Sequence, residues 1–182
     1  MGKESVIYWL DPSDAIRETN AFWDQFADEN EGLELSSTQV LGKPIWKFIV
    51  GDTTRMWLDT LLSYARFHQK AVMRQYRCDS PETKRFMEMH ILPEKNKNLC
   101  LEHRIVRTET MDPPVSYTAS IKAIYFRCSI CNKVQVKGHW YEGNEAVKKG
   151  LLPDSGAPRV AYRVCESCQN QVSAYARVPD GF

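Results

Sequence analysis

Two cysteine pairs of identical spacing, Cys128-x-x-Cys131 and Cys165-x-x-Cys168, constrain the last third of this 182-residue chain more than any other feature. A C-x-x-C turn brings two sulfurs to one side of a tight knuckle. Two knuckles supply the four thiolates that a tetrahedral zinc ion takes at about 2.3 Å. The insert between the pairs, residues 132 to 164, is longer than a simple zinc ribbon uses. It leaves room for a small helix around Asn144 to Lys149 and for "VAYRV" to return as a strand. Two disulfides or two redox motifs are the rival readings, but nothing in the chain points to an oxidising compartment and a redox motif needs only one copy. Haem attachment of the c type requires histidine after the pair, where this chain has Asn132 and Gln169. His139 is an alternative fourth ligand. Four protein ligands leave no open coordination position, so the metal is expected to fold the segment and catalyse nothing.

The rest of the chain is long enough for one ordinary domain. Hydrophobic residues make up 43% and charged residues 26%, a balance that supports a packed core. No run approaches the roughly 20 apolar residues that span a bilayer, and the start MGKESVIYWL has no basic segment leading into a long apolar stretch. A cytoplasmic protein without a membrane partner is expected. With 24 basic against 23 acidic residues, net charge +1, there is no long-range attraction for a polyanion. Beyond residue 110 the count is 9 basic to 6 acidic, and a tetrathiolate zinc site would take back about two of those charges.

Ser5 to Leu10 and Ile16 to Glu18 read as strands around the turn Asp11-Pro12-Ser13-Asp14. Phe22, Trp23, Phe26 and Ala27 recur at helical spacing, with Asn20 as the expected cap, and Glu29 to Ser37 reads as a polar loop. VLGKPIWKFIV holds Gly42 and Pro44 and predicts an irregular turn followed by one helical turn. Trp57, Leu58, Leu61, Leu62 and Ala65 make the stripe of a long helix, capped by Asp52 or Thr53 and ending near His68. Ala71 to Arg77, Arg85 to Leu92 and Leu99 to Arg107 are three more strands, joined by turn-forming residues as an antiparallel meander. Two strands, short helices and three strands make an α+β domain with helices on one face of a five-stranded antiparallel sheet. The expected division is residues 1–110 for this domain, 111–120 for a linker around Pro113-Pro114, and 121–182 for a small zinc-binding module.

This layout, with "IRETNAFWDQFADEN", "VLGKPIWKFI" and the final strand trio, resembles a PAS domain, a family of small sensory modules, over roughly residues 4 to 110. Asn20 and Leu41-Gly42 occupy the recognisable places. The resemblance implies a homodimer and a cavity between helices and sheet, for which Trp23, Phe26, Trp46, Phe48 and Trp57 are the candidate lining; a filled aromatic core is the plainer reading. "RCDSPETKR" resembles a turn motif in a subset of bacterial PAS-like proteins. Within it Asp79 is placed to pair with Arg77 or Arg85, aimed at a ligand or partner, or simply solvated on a hairpin. Cys78 and Cys100 read as core residues. The Asn-Cys-Arg-Phe stretch of flavin-adduct PAS domains is missing; His68 lies near the end of the long helix, the element from which some haem-binding PAS domains take their ligand, though a histidine at a helix end commonly just faces solvent.

The tail in turn resembles a zinc-binding segment found in bacterial signalling proteins. Cys128-Ser129-Ile130-Cys131, Val134, Trp140, Tyr162 and Cys165-Glu166-Ser167-Cys168 match it. It departs before the second pair, where Ala161-Tyr162-Arg163-Val164 stands in place of Ser-His-Gly. No Walker loop, H-E-x-x-H or G-x-S-x-G occurs, so no enzymatic activity is expected. The reading is a non-enzymatic bacterial sensory module that binds a small ligand or a signalling protein, the ligand unidentified, with one structural zinc. The alternative is a nucleic-acid-binding regulator that uses Lys122, Arg127, Lys133, Lys137, Lys148 and Lys149.

Overall fold

Alternation along SVIYWL turns Tyr8 and Leu10 to one side of strand β1 (Ser5–Leu10) and buries them. A computed structural model of the chain describes residues 5–29 and 33–176. The Asp11 carboxylate accepts hydrogen bonds from the backbone N–H groups of Ser13 and Ala15, folding the chain back into β2 (Ile16–Thr19). Helix α1 (Ala21–Glu29) follows. Asn20 does not cap it through its side chain. Its oxygen accepts from the Ile7 N–H and its amide donates to the Ser5 carbonyl, tying the helix entry to β1.

Residues 30–32 of the expected loop lie outside the described residues. Leu33–Leu35 is a single 3-10 turn and Ser37–Val40 a short helix, α2. Gly42 at φ 74° and Pro44 then set up a second 3-10 turn, Ile45–Lys47, as the composition of that run predicts. The long helix α3 (Asp52–His68) starts from Gly51 at φ 91°, with no side-chain cap from Asp52 or Thr53. Its stripe of Leu58, Leu61, Leu62 and Ala65 is buried.

Strands β3 (Val72–Arg77), β4 (Thr83–Pro93) and β5 (Leu99–Thr110) complete a sheet of order β2-β1-β5-β4-β3 in which every pairing is antiparallel. The helices pack on one face. Leu10, Ile16, Leu62, Ile91, Leu99 and Leu101 are the bulk of that core, and their burial is the main force holding helices to sheet.

A second sheet is built from β6 (Thr118–Ala119), β7 (Tyr125–Cys128), β8 (Val134–Val136), β9 (His139–Tyr141) and β10 (Arg159–Arg163), in the order β6-β10-β7-β8-β9. β10 runs parallel to both of its neighbours, so it must return by a crossover; β8, β9 and helix α4 (Gly143–Lys148) provide it. Helix α5 (Glu166–Ala176) closes the described chain. Val134, Val136, Ala146 and Leu152 form a small core of their own.

The 111–120 stretch, read from sequence as a linker, is held at several points. Met111 donates its N–H to the Glu82 carbonyl and Val115 to that of Pro81, both apolar side chains are buried, and Thr118–Ala119 is a strand. Prolines at 113 and 114 keep this stretch out of regular structure without making it loose.

Candidate metal centre and ligand cavity

Cys128 ends β7 and Cys131 lies three residues on, across a knuckle in which Asn132 donates its N–H to the Cys128 carbonyl at 3.0 Å. Asn132 takes φ 58°, the left-handed conformation that asparagine tolerates. Cys165 immediately precedes α5 and Cys168 sits in its first turn, so the second pair rides on a helix start whose N–H groups favour negative charge. The four sulfurs all lie within 4.8 Å of one another, and Cys131 and Cys165 are 3.8 Å apart, the separation expected of sulfurs at about 2.3 Å around one tetrahedral ion. Cys128, Cys165 and Cys168 are buried and none of the four forms a disulfide.

The cluster is electrostatically prepared for a cation. Cys128 is held far below the ordinary thiol range, first by hydrogen bonds from Cys131 and Cys168 and then by backbone N–H groups; those of Ile130 and Cys165 approach its sulfur at 3.5 and 3.4 Å. Cys131 is pushed up to about 12 by its bond to Cys128, and Cys168 is raised through the same two partners. Negative charge within the cluster is thus favoured at Cys128 over Cys131 and Cys168. These four cysteines could hold a metal ion, and all four donors are soft sulfur. His139, the alternative ligand, is exposed on β9 and outside the cluster.

The "RCDSPETKR" turn is not a solvated hairpin. The Asp79 carboxylate accepts from Arg77 Nε at 3.1 Å and Nη2 at 2.5 Å, and from the Arg85 backbone N–H at 3.1 Å. The other arm of Arg77, Nη1, reaches Glu142 at 2.7 Å, beside α4, and Lys84 reaches the same carboxylate at 3.4 Å. Burial would raise the Glu142 carboxyl, but the hydrogen bond and charge of Arg77, with Lys84 behind them, hold it below its ordinary value. The turn's partner thus lies within the chain. Three further contacts join the two halves: Arg77 N–H to the Ile130 carbonyl at 2.7 Å, Thr54 to Ser129 between hydroxyls at 2.5 Å, and Trp57, which packs on both the main core and the cysteine cluster.

Of the five aromatics proposed to line a cavity, Trp23 and Phe26 do so. A space of about 240 Å³ opens between α1 and the inner face of the sheet, walled also by Tyr8, Tyr76, Met87 and His103. Trp46 and Phe48 pack on the main core instead, Trp46 donating to Asp14 at 3.0 Å, and Trp57 faces the second half. Cys78 reaches the cavity wall; His68 is exposed at the end of α3, against Tyr64 and Phe67, and does not.

Sequence reasoning missed Tyr8, Tyr76 and His103. His103 Nδ1 and the Tyr76 hydroxyl are 2.8 Å apart, and burial pulls the imidazole down to about 4, so it is neutral at physiological pH. The available signal was the alternation Val6-Tyr8-Leu10 on β1 against Leu101-His103 on β5, which sends all five side chains to one face.

Among the basic residues offered as a nucleic-acid surface, Arg127 stacks over Tyr117 at 4.4 Å and approaches Asp79, and Lys148 pairs with Asp112 at 3.3 Å. Among the described residues, no helix is long and apolar enough to cross a membrane.

No family model matches the chain, and no curated protein matches it. Several solved structures align at low identity, among them the following three. A domain of an HTR-like protein from Haloarcula marismortui is 14% identical over 57% of this chain and 98% of that one, with a TM-score of 0.42. A sensory box sensor histidine kinase from Vibrio cholerae is 11% identical over 57% and 83%, with a TM-score of 0.42. A C-terminal domain from Streptococcus mutans is 10% identical over 60% and 77%, with a TM-score of 0.39. Likeness of this degree decides neither fold nor function.

Proposed function

We propose that this chain is a non-enzymatic sensory module of the bacterial PAS-like kind, in which the first sheet binds a small ligand and the cysteine-bearing half is a zinc-stabilised extension fixed to it. The carrying observation is the cavity of about 240 Å³ between α1 and a five-stranded antiparallel sheet, since the PAS resemblance implies a cavity between helices and sheet. The four sulfurs take zinc and support the second half structurally, since four protein donors leave no site for substrate. Free thiols at this density fit a reducing, cytoplasmic setting. A homodimer is the assembly through which a module of this kind would signal.

Native mass spectrometry of the freshly purified chain tests these points together. The expected spectrum is a dimer with one zinc per chain and, in a fraction of molecules, an additional small-molecule mass that leaves on mild activation. Cys128→Ser should abolish the zinc increment. A strict monomer at high concentration removes the dimer; metal-free protein whose thiols are mutually oxidised removes the zinc.

A further inference from the structure

The cavity under α1 carries more than its existence. Its described wall is mostly apolar, with Val6, Phe26, Ile45 and Met87 around a polar cluster of Tyr8, His103 and Tyr76, and the Cys78 thiol also reaching it. Among the described residues, no carboxylate, lysine or arginine lines it. Tyr76 engages His103 Nδ1 at 2.8 Å with the two rings nearly perpendicular, which fixes the imidazole. The other nitrogen is poorly served. His103 Nε2 has the Tyr8 hydroxyl at 3.4 Å, beyond the 2.7–3.2 Å of a good N–H···O bond, and that is the contact the Tyr8 hydroxyl makes as well. Trp23, edge-on to Tyr8 at 5.3 Å, has spent its indole N–H on the Leu35 carbonyl and presents only apolar surface.

Resting on the sensory reading above, we propose that this cavity binds a small, uncharged, planar molecule of one or two rings, whose single polar atom hydrogen-bonds both His103 Nε2 and the Tyr8 hydroxyl. Size sets the upper limit, because about 240 Å³ falls under the 300–1,000 Å³ typical of sites for drug-sized ligands. Flatness follows from the aromatic walls. Charge is disfavoured by the described wall, since an ion here would give up hydration and meet no counter-charge among the described lining residues. The neutral state of His103 agrees with that preference. One heteroatom placed between the two groups replaces a stretched contact with two good ones, which gives orientation as well as affinity.

Three probes of one shape test this: 2-naphthol, which carries one neutral hydroxyl; naphthalene, which carries none; and 2-naphthoate, which is charged. Binding to the full chain is followed by ¹⁵N NMR titration, including the His103 side-chain nitrogens. 2-Naphthol is expected to bind at least tenfold tighter than either comparison and to shift Nε2 more than Nδ1. His103→Leu should remove that tenfold advantage and leave naphthalene binding unchanged. Tyr8→Phe, which deletes one oxygen from the same ring, should weaken 2-naphthol severalfold with the melting temperature retained, and it keeps the test open if His103→Leu fails to fold. Naphthoate binding as tightly as naphthol, or naphthol binding that neither substitution weakens, overturns the ligand class while leaving the sensory reading standing. No binding by any of the three likewise overturns the ligand class, and the sensory reading is then decided by the native mass spectrum.

Discussion

Glu142→Gln is the sharpest probe of how the two halves are joined. The substitution keeps the side chain's length and removes its charge, leaving Arg77 and Lys84, whose side chains are 8% and 11% exposed, with one carboxylate fewer. Breaking a buried ion pair from one side costs about 3–5 kcal/mol. Two features reduce that here: Glu142 keeps 20% exposure, and Arg77 retains its two-pronged contact with Asp79. We therefore expect a loss of about 2 kcal/mol, a shift of about 1 M in the urea midpoint for a slope of about 2 kcal/mol per M. Acidification supplies an independent arm. Because the folded Glu142 carboxyl lies below its ordinary value of about 4.3, its contribution is complete above that value and disappears as pH falls through the folded one. The difference between wild type and Glu142→Gln should therefore be full at pH 7 and shrink only at an acid pH below the lowered folded value, where the native carboxyl becomes neutral like its replacement. Urea titrations by circular dichroism at both pH values give the answer. A gap under about 0.5 kcal/mol at pH 7 refutes the placement of this carboxylate as a buried tie.

Trp57→Ala should cost about 2–3 kcal/mol, since the indole packs on both the main core and the cysteine cluster, and differential scanning calorimetry should show one transition separating into two. A methyl group at Gly143 would collide with the Tyr117 hydroxyl, a buried group without a hydrogen-bond partner. Gly143→Ala is expected to lower stability by about 1–3 kcal/mol, and Gly143→Ala combined with Tyr117→Phe to recover much of it in thermal melts.

Local chemistry was the legible part of this chain. A C-x-x-C spacing and the alternation of β1 are written within a few residues, so the four sulfurs and the strand positions follow from them. Ends and partners were less legible. Helix α3 begins on Gly51 because a positive φ there turns the chain, a job that neighbouring Asp52 and Thr53 only seemed placed to do by capping. Trp57 shares a stripe with Leu58 and Leu61, yet its position on the rim of that stripe turns it to a core built about 70 residues later. Arg77 meets Glu142 across 65 residues, a pairing no local pattern encodes. Tyr8, Tyr76 and His103 come from three different strands, and each taken singly reads as an ordinary half-buried aromatic.

Strands β6 and β7 do not touch each other; β10 is seated between them and bonds to both. As the protein emerges from the ribosome, every strand of the first sheet is available by Thr110, whereas the second has two rails and no middle until Val160 arrives. Cys165 and Cys168 follow within eight residues, so insertion of the middle strand and delivery of the last two sulfurs fall in one short interval of synthesis. A chain halted before that interval would present a finished first sheet with an unzipped appendage that is able to offer a metal only half of its sulfurs.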